Sequence, residues 1–187
     1  MAVALREDIL EASYACIARA GMARTTVEDV ARQAGVSRAT VYRYFPGGKD
    51  QVLRDTVTWE ASRFLARLAD ATAGAPDFAS LLEEALMFAH RAVGEHEVLQ
   101  TMLRSEPGPL LTRLTIGGDR LVRLIKEWLA PYLVAAPLRP GVTVEGAGDY
   151  LARMILSFIG AHGQWDLTDR AQVATLVRTE FLAGILA

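Results

Sequence analysis

The 187-residue chain has a single cysteine, Cys16. That excludes an intrachain disulfide framework and any cysteine-based zinc finger, as expected in a reducing cytoplasm. Long hydrophobic runs are also missing. The longest uncharged stretch, Met154 to Trp165, contains Ser157, Gly160, His162 and Gln164 and is too short to span a bilayer. Arg6, Glu7 and Asp8 argue against an export signal, so the expectation is a cytoplasmic protein with no membrane partner. No Walker-type Gly-Lys-Ser/Thr loop occurs, and Gly146-Ala-Gly148 lacks the third glycine of a dinucleotide fingerprint and follows no strand pattern. His90 and His96 lie off the four-residue spacing that places two metal ligands on one helix face, and no serine or cysteine has a nucleophile's setting. No enzyme, metal or cofactor is expected.

What remains is a globular composition, 51% hydrophobic and 22% charged. Turn signals at Gly21, Gly35, Pro46-Gly47-Gly48, Gly74-Ala75-Pro76, Pro107-Gly108-Pro109, Pro137, Pro140-Gly141 and Gly163 cut the chain into helix-sized pieces, and no alternating strand pattern fills the gaps. Leu5, Ile9, Ala12 and Cys16 recur at helical spacing before Gly21, which predicts a first helix over residues 5 to 20. Leu121, Leu124, Ile125 and Trp128 repeat the spacing, as do Leu151, Met154, Ile155, Phe158, Ile159 and His162. The reading is an all-α protein of about nine helices. Gly117-Gly118 and Pro131 are expected to kink or end the segment between Pro109 and Val134.

The net charge of −2 gives no reason to expect a nucleic acid, but its distribution does. Residues 1–58 carry a net +1 and the remainder −3, and Val30 to Lys49 holds Arg32, Arg38, Arg43 and Lys49 with no acid. In that region Thr26, with Asp29 three residues on, suits an N-cap; Gly35 permits a left-handed stop; Ser37 can cap a helix from Arg38 to Tyr44. Val30, Val36, Val41 and Tyr44 can fill the angle between two such helices, with Ala31 small enough for close approach. This is a helix-turn-helix pattern. Such a unit lays its second helix in the major groove, where Arg38, Ala39, Thr40 and Arg43 would meet base edges.

Thr26-Val-Glu-Asp-Val-Ala-Arg-Gln-Ala-Gly-Val-Ser-Arg-Ala-Thr-Val-Tyr-Arg-Tyr-Phe45, followed by Lys49 and Leu53, closely resembles the DNA-binding domain of the tetracycline-repressor (TetR) family of bacterial transcription regulators. The close match covers roughly residues 5 to 55. Ala39 stands where the family often has Gly, and Pro46-Gly47-Gly48 makes the link to Lys49 one residue longer than usual. The resemblance implies a DNA-binding domain over 1–50 and a helical ligand-sensing and dimerisation domain over 51–187. It implies phosphate contacts by Thr26, Ser37, Tyr42, Tyr44 and Lys49, which set register without reading sequence. It also implies a repressor that binds a palindromic double-stranded operator as a homodimer and is released by a small molecule.

In the second part of the chain, the penultimate helix, about Thr143 to His162, sets Ala152, Leu156, Gly160 and Gly163 along one side. The last helix, about Asp169 to Leu186, is apolar over most of its circumference, with Val173, Val177 and Phe181 on it and a narrow polar strip of Gln172, Thr175 and Thr179. Pattern alone fits a monomer core as well as a dimer seam, and the resemblance favours the seam, a four-helix bundle of these two helices with a partner's. For a largely apolar ligand the candidates are Phe64, Phe88, His90, Met102, Leu103, Trp128, Met154, Phe158, His162 and Trp165. The alternative from another class is a helical small-molecule-binding protein or enzyme whose N-terminal unit is only structural.

Overall fold

The computed structural model describes residues 2–96, 118–160 and 163–187. Met102, Leu103 and His162 lie outside the described residues. The fold is all-α, with N-terminal helix-turn-helix elements and a larger C-terminal helical part. Eight α-helices occur among the described residues: α1 (Ala2–Ala20), α2 (Val27–Gln33), α3 (Arg38–Tyr44), α4 (Gly48–Thr72), α5 (Phe78–Glu95), α6 (Gly118–Ala135), α7 (Val144–Gly160) and α8 (Arg170–Leu176). Two compact units divide between Ser62 and Arg63, so that α4 contributes to both.

In the first unit, Ile9, Leu10, Cys16, Val27, Val30, Ala31, Val41, Phe45 and Val52 form one buried apolar cluster. The i, i+3, i+4 recurrence along α1 supplies its floor. α1 stops at Gly21, whose φ of +82° lies in the left-handed region, and Gly21 N–H closes on Ile17 O at 2.8 Å. Helix α4 adds a small polar seam against α1, where the buried Thr56 hydroxyl lies 2.9 Å from Ser13 Oγ and 2.8 Å from Val52 O. The seam satisfies hydroxyls that would be costly to bury alone.

The second unit has its own core. Helix α5, capped by Asp77 accepting from Ser80 N–H at 2.8 Å, buries Leu81, Leu82, Ala85, Leu86 and Ala89. Leu81, Leu82 and Leu86 share one core with Val122, Ile125, Leu129 and Leu133 of α6, Leu151 and Ala152 of α7, and Val173 and Leu176 of α8. Pro131, expected to kink or end its segment, does not end it, and one expectation about a helix end needs correction. Helix α6 continues through Pro131 to Ala135. Pro131 leaves the Glu127 carbonyl without its intrahelical donor, and both residues are exposed, so water can serve it. The last α-helix ends at Leu176 instead of near Leu186; a π-turn, Val177–Phe181, follows, with Leu182 N–H on Val177 O at 2.9 Å. Beyond it the chain leaves helical geometry, and Leu186 bridges to Leu138.

Candidate nucleic-acid interface

The turn between α2 and α3 is built from local chemistry. The Thr26 hydroxyl accepts from Asp29 N–H at 3.1 Å, and the Asp29 carboxylate accepts from Thr26 N–H at 3.2 Å and from the Thr26 hydroxyl at 2.6 Å, a capping box. At the other end, Gly35 N–H donates to Arg32 O and Val36 N–H to Ala31 O at 2.9 Å, with Gly35 at φ +66°. This is the Schellman closure, which needs a left-handed residue at Gly35. Ser37 Oγ then accepts from Thr40 N–H at 3.1 Å and starts α3.

Helix α3 presents one side to the core and another to solvent. Val41 is fully buried, while Ser37, Arg38, Ala39, Tyr42 and Arg43 are exposed and Thr40 and Tyr44 are half-buried. Thr26 is exposed at the head of α2. The extra residue in the link to α4 is absorbed by a glycine turn, with Gly48 at φ +61° and Gly48 N–H on Phe45 O at 2.9 Å. A Cβ on Gly48 would stand 3.2 Å from the Tyr42 ring, so that aromatic depends on glycine beneath it. Lys49 is half-buried, and its ammonium donates to Ala23 O at 2.6 Å, joining the start of α4 to the turn before α2.

The cations here have defined partners. Arg32 pairs with Asp29 along α2, Arg38 Nη1 lies 3.7 Å from Glu28 Oε2, and the Arg43 guanidinium sits 5.3 Å from the Tyr44 ring centroid. The hydrogen bond from the Thr26 hydroxyl holds the Asp29 carboxyl below the ordinary carboxylate range, with the Thr26 amide and Arg32 adding to it. Sequence reasoning passed over Glu28, because its pairing with Arg38 crosses a turn and follows no helical period.

Among the residues proposed for a ligand, Phe64 and Phe88 pair with ring centroids 5.8 Å apart. Trp128, Met154, Phe158 and Trp165 are half-buried and pack against the same apolar core, and His90 is half-buried on α5. The Trp128 indole Nε1 is buried with no acceptor among the described residues. The proposed dimer residues divide differently. Ala152, Val173, Val177 and Phe181 are each 0% exposed within their own chain. Their side chains belong to the core of their own unit, where Phe181 packs on Phe158 with ring centroids 5.3 Å apart. Leu156 is half-buried on α7, whose described span runs to Gly160, and Gly163 is exposed at φ +60°. Among the described residues, no group of three or more His, Cys, Asp or Glu is placed to hold a metal, and no helix is long and apolar enough to cross a membrane.

Two capped helices, a glycine turn between them and a cation-bearing outer face on the second define a helix-turn-helix DNA-binding regulator. Residues 9–56 match the family described as bacterial regulatory proteins, tetR family. The chain is 31% identical over 152 residues to the HTH-type transcriptional regulator Rv2250c of Mycobacterium tuberculosis, covering 79% of this chain and 74% of that one. It belongs to the TetR family. The same fold occurs in the TetR family repressor AlkX from Dietzia sp. strain DQ12-45-1b, implicated in biodegradation of n-alkanes, at TM-score 0.70 and 22% identity over 96% of this chain and 98% of that one. It occurs also in the regulator FadR from Bacillus subtilis in complex with stearoyl-CoA, at TM-score 0.55 and 21% identity, again over 96% and 98%.

Proposed function

We propose that this protein is a cytoplasmic repressor that binds a palindromic operator as a homodimer and is released by a small, largely apolar molecule. The observation that carries the reading is α3: a helix anchored by Val41 whose exposed side bears Arg38, Ala39 and Arg43 together, beside the half-buried Thr40. Laid in the major groove, these four face base edges. Arginine can bridge guanine O6 and N7, and the Ala39 or Thr40 methyl can meet thymine. Thr26, Ser37, Tyr42, Tyr44 and Lys49 flank that helix and hold phosphate; Lys49 does so while keeping or exchanging its bond to Ala23.

The second unit holds the effector. Half-buried Trp128, Met154, Phe158 and Trp165 on one apolar core suit a largely apolar molecule, and a long acyl compound is compatible with a fold that carries stearoyl-CoA in FadR. Release requires that the effector bind the DNA-incompetent arrangement better; a tenfold loss of DNA affinity corresponds to about 1.4 kcal/mol of coupling. No turnover of the effector is required.

Selection of bound duplexes from a random pool tests the DNA part. A palindromic consensus with two half-sites about one helical turn apart is the expected product. Recovery of unrelated duplexes would leave the different-class reading, a small-molecule-binding protein with a structural N-terminal unit.

A further inference from the structure

The geometry points to Glu28 as a specificity-determining residue that acts through Arg38. Arg38 is the first residue of α3, and early recognition-helix residues approach base edges most closely. The two groove-facing arginines differ in their partners. Arg43 lies over the Tyr44 ring, whereas Arg38 Nη1 is 3.7 Å from Glu28 Oε2, with side-chain exposures of 62% and 68%. The backbone position of Glu28 is set, because it occupies the first turn of a helix fixed by the Thr26–Asp29 capping box.

An exposed arginine near DNA has two kinds of acceptor within reach. Phosphates are available on every sequence, and guanine edges on only some. A carboxylate near one end of the guanidinium biases that choice. It repels phosphate oxygens from the edge it occupies and leaves the remaining N–H donors for a neutral base edge, where the charge penalty is smaller. The pair is exposed and weak, so it can yield during docking. Its effect is therefore to lower binding to arbitrary duplex more than binding to the operator.

This inference rests on the placement of α3 in the groove, and the test separates the two. Wild type, Glu28→Gln, Arg38→Ala and the double variant are titrated, over a range of salt, with the selected operator and with a scrambled duplex of equal length. Folded-state stability cancels in the ratio of the two affinities. In Glu28→Gln the operator-to-scrambled ratio is expected to fall about two- to fivefold, the range of an exposed ion pair. The salt slope on scrambled duplex is expected to steepen by about 0.9, one further phosphate neutralised. Both changes are expected to vanish when Glu28→Gln is made in the Arg38→Ala background. An unchanged ratio in Glu28→Gln overturns the inference while leaving α3 in place, as does the same shift with and without Arg38, which marks a general charge effect. An Arg38→Ala variant with unaltered site preference overturns the inference, and the groove placement falls with it only if Arg43→Ala is equally without effect.

Discussion

Arg6 and Asp55 form an ion pair at 2.8 Å in which the Asp55 side chain is only 8% exposed and Arg6 keeps 44% exposure. The same guanidinium lies 5.1 Å from the centroid of the Phe45 ring. One cation thus joins α1, the end of α3 and α4. Removing it takes a charged donor from a nearly buried carboxylate, so Arg6→Ala is expected to destabilise the protein by about 1–3 kcal/mol in urea unfolding. Arg6→Lys, which keeps charge but loses the planar fork, should fall between. An Arg6→Ala midpoint equal to wild type would show that the pair adds nothing.

Gly35 isolates a backbone effect. A Cβ placed there meets nothing within 4 Å, so only its φ of +66° resists substitution. Gly35→Ala should cost about 1–2 kcal/mol, and Gly35→Asn less, because Asn tolerates the left-handed region. Equal losses for the two would mean that side-chain crowding governs the site.

The capped helices and the glycine stops were legible in the sequence because their chemistry acts within a few residues: Thr26 to Asp29, Ser37 to Thr40, Ala31 to Val36. The bounds of α3 match the expectation for the same reason. Pairings across turns were not legible. Glu28 with Arg38 and Lys49 with Ala23 depend on the angle between helices, which no local period encodes. The acid-free stretch from Val30 to Lys49 folds against acids lying just before it. In the second unit, helical spacing identified apolar faces without saying which face turns inward. Val173, Val177 and Phe181 share a side that suited a dimer, and all three lie in the core of their own unit.

Asp29 gives the protein an acid-sensitive element. Its folded-state pKa is lowered, so the unfolded chain binds protons more readily. The stabilisation is complete above the unfolded carboxylate value and is lost as pH falls through it toward the folded one. Melting temperature should therefore drop as pH falls below the ordinary Asp value of about 3.9, and drop less steeply in Asp29→Asn. Parallel acid limbs for the two proteins would contradict the assignment.

Burial separates two classes of candidate dimer residue. Val173→Arg, at a position with 0% exposure, should abolish the cooperative fold. Leu156→Arg, on the half-buried side of α7, should leave helical content intact while halving the solution mass toward the 20.4 kDa of one chain. A Leu156→Arg protein that remains a dimer places the seam elsewhere.

Base reading by α3 is measured most directly as affinity for single-base variants of the selected operator, made with wild type, Arg43→Ala and Tyr42→Phe. Arg43→Ala is predicted to relax discrimination at one base pair per half-site by about 1–3 kcal/mol while preference elsewhere persists. Tyr42→Phe should weaken all the duplexes alike. If Arg43→Ala and Arg38→Ala both lower affinity uniformly and leave every base preference intact, α3 does not read sequence and the protein is not a sequence-specific repressor acting through that helix.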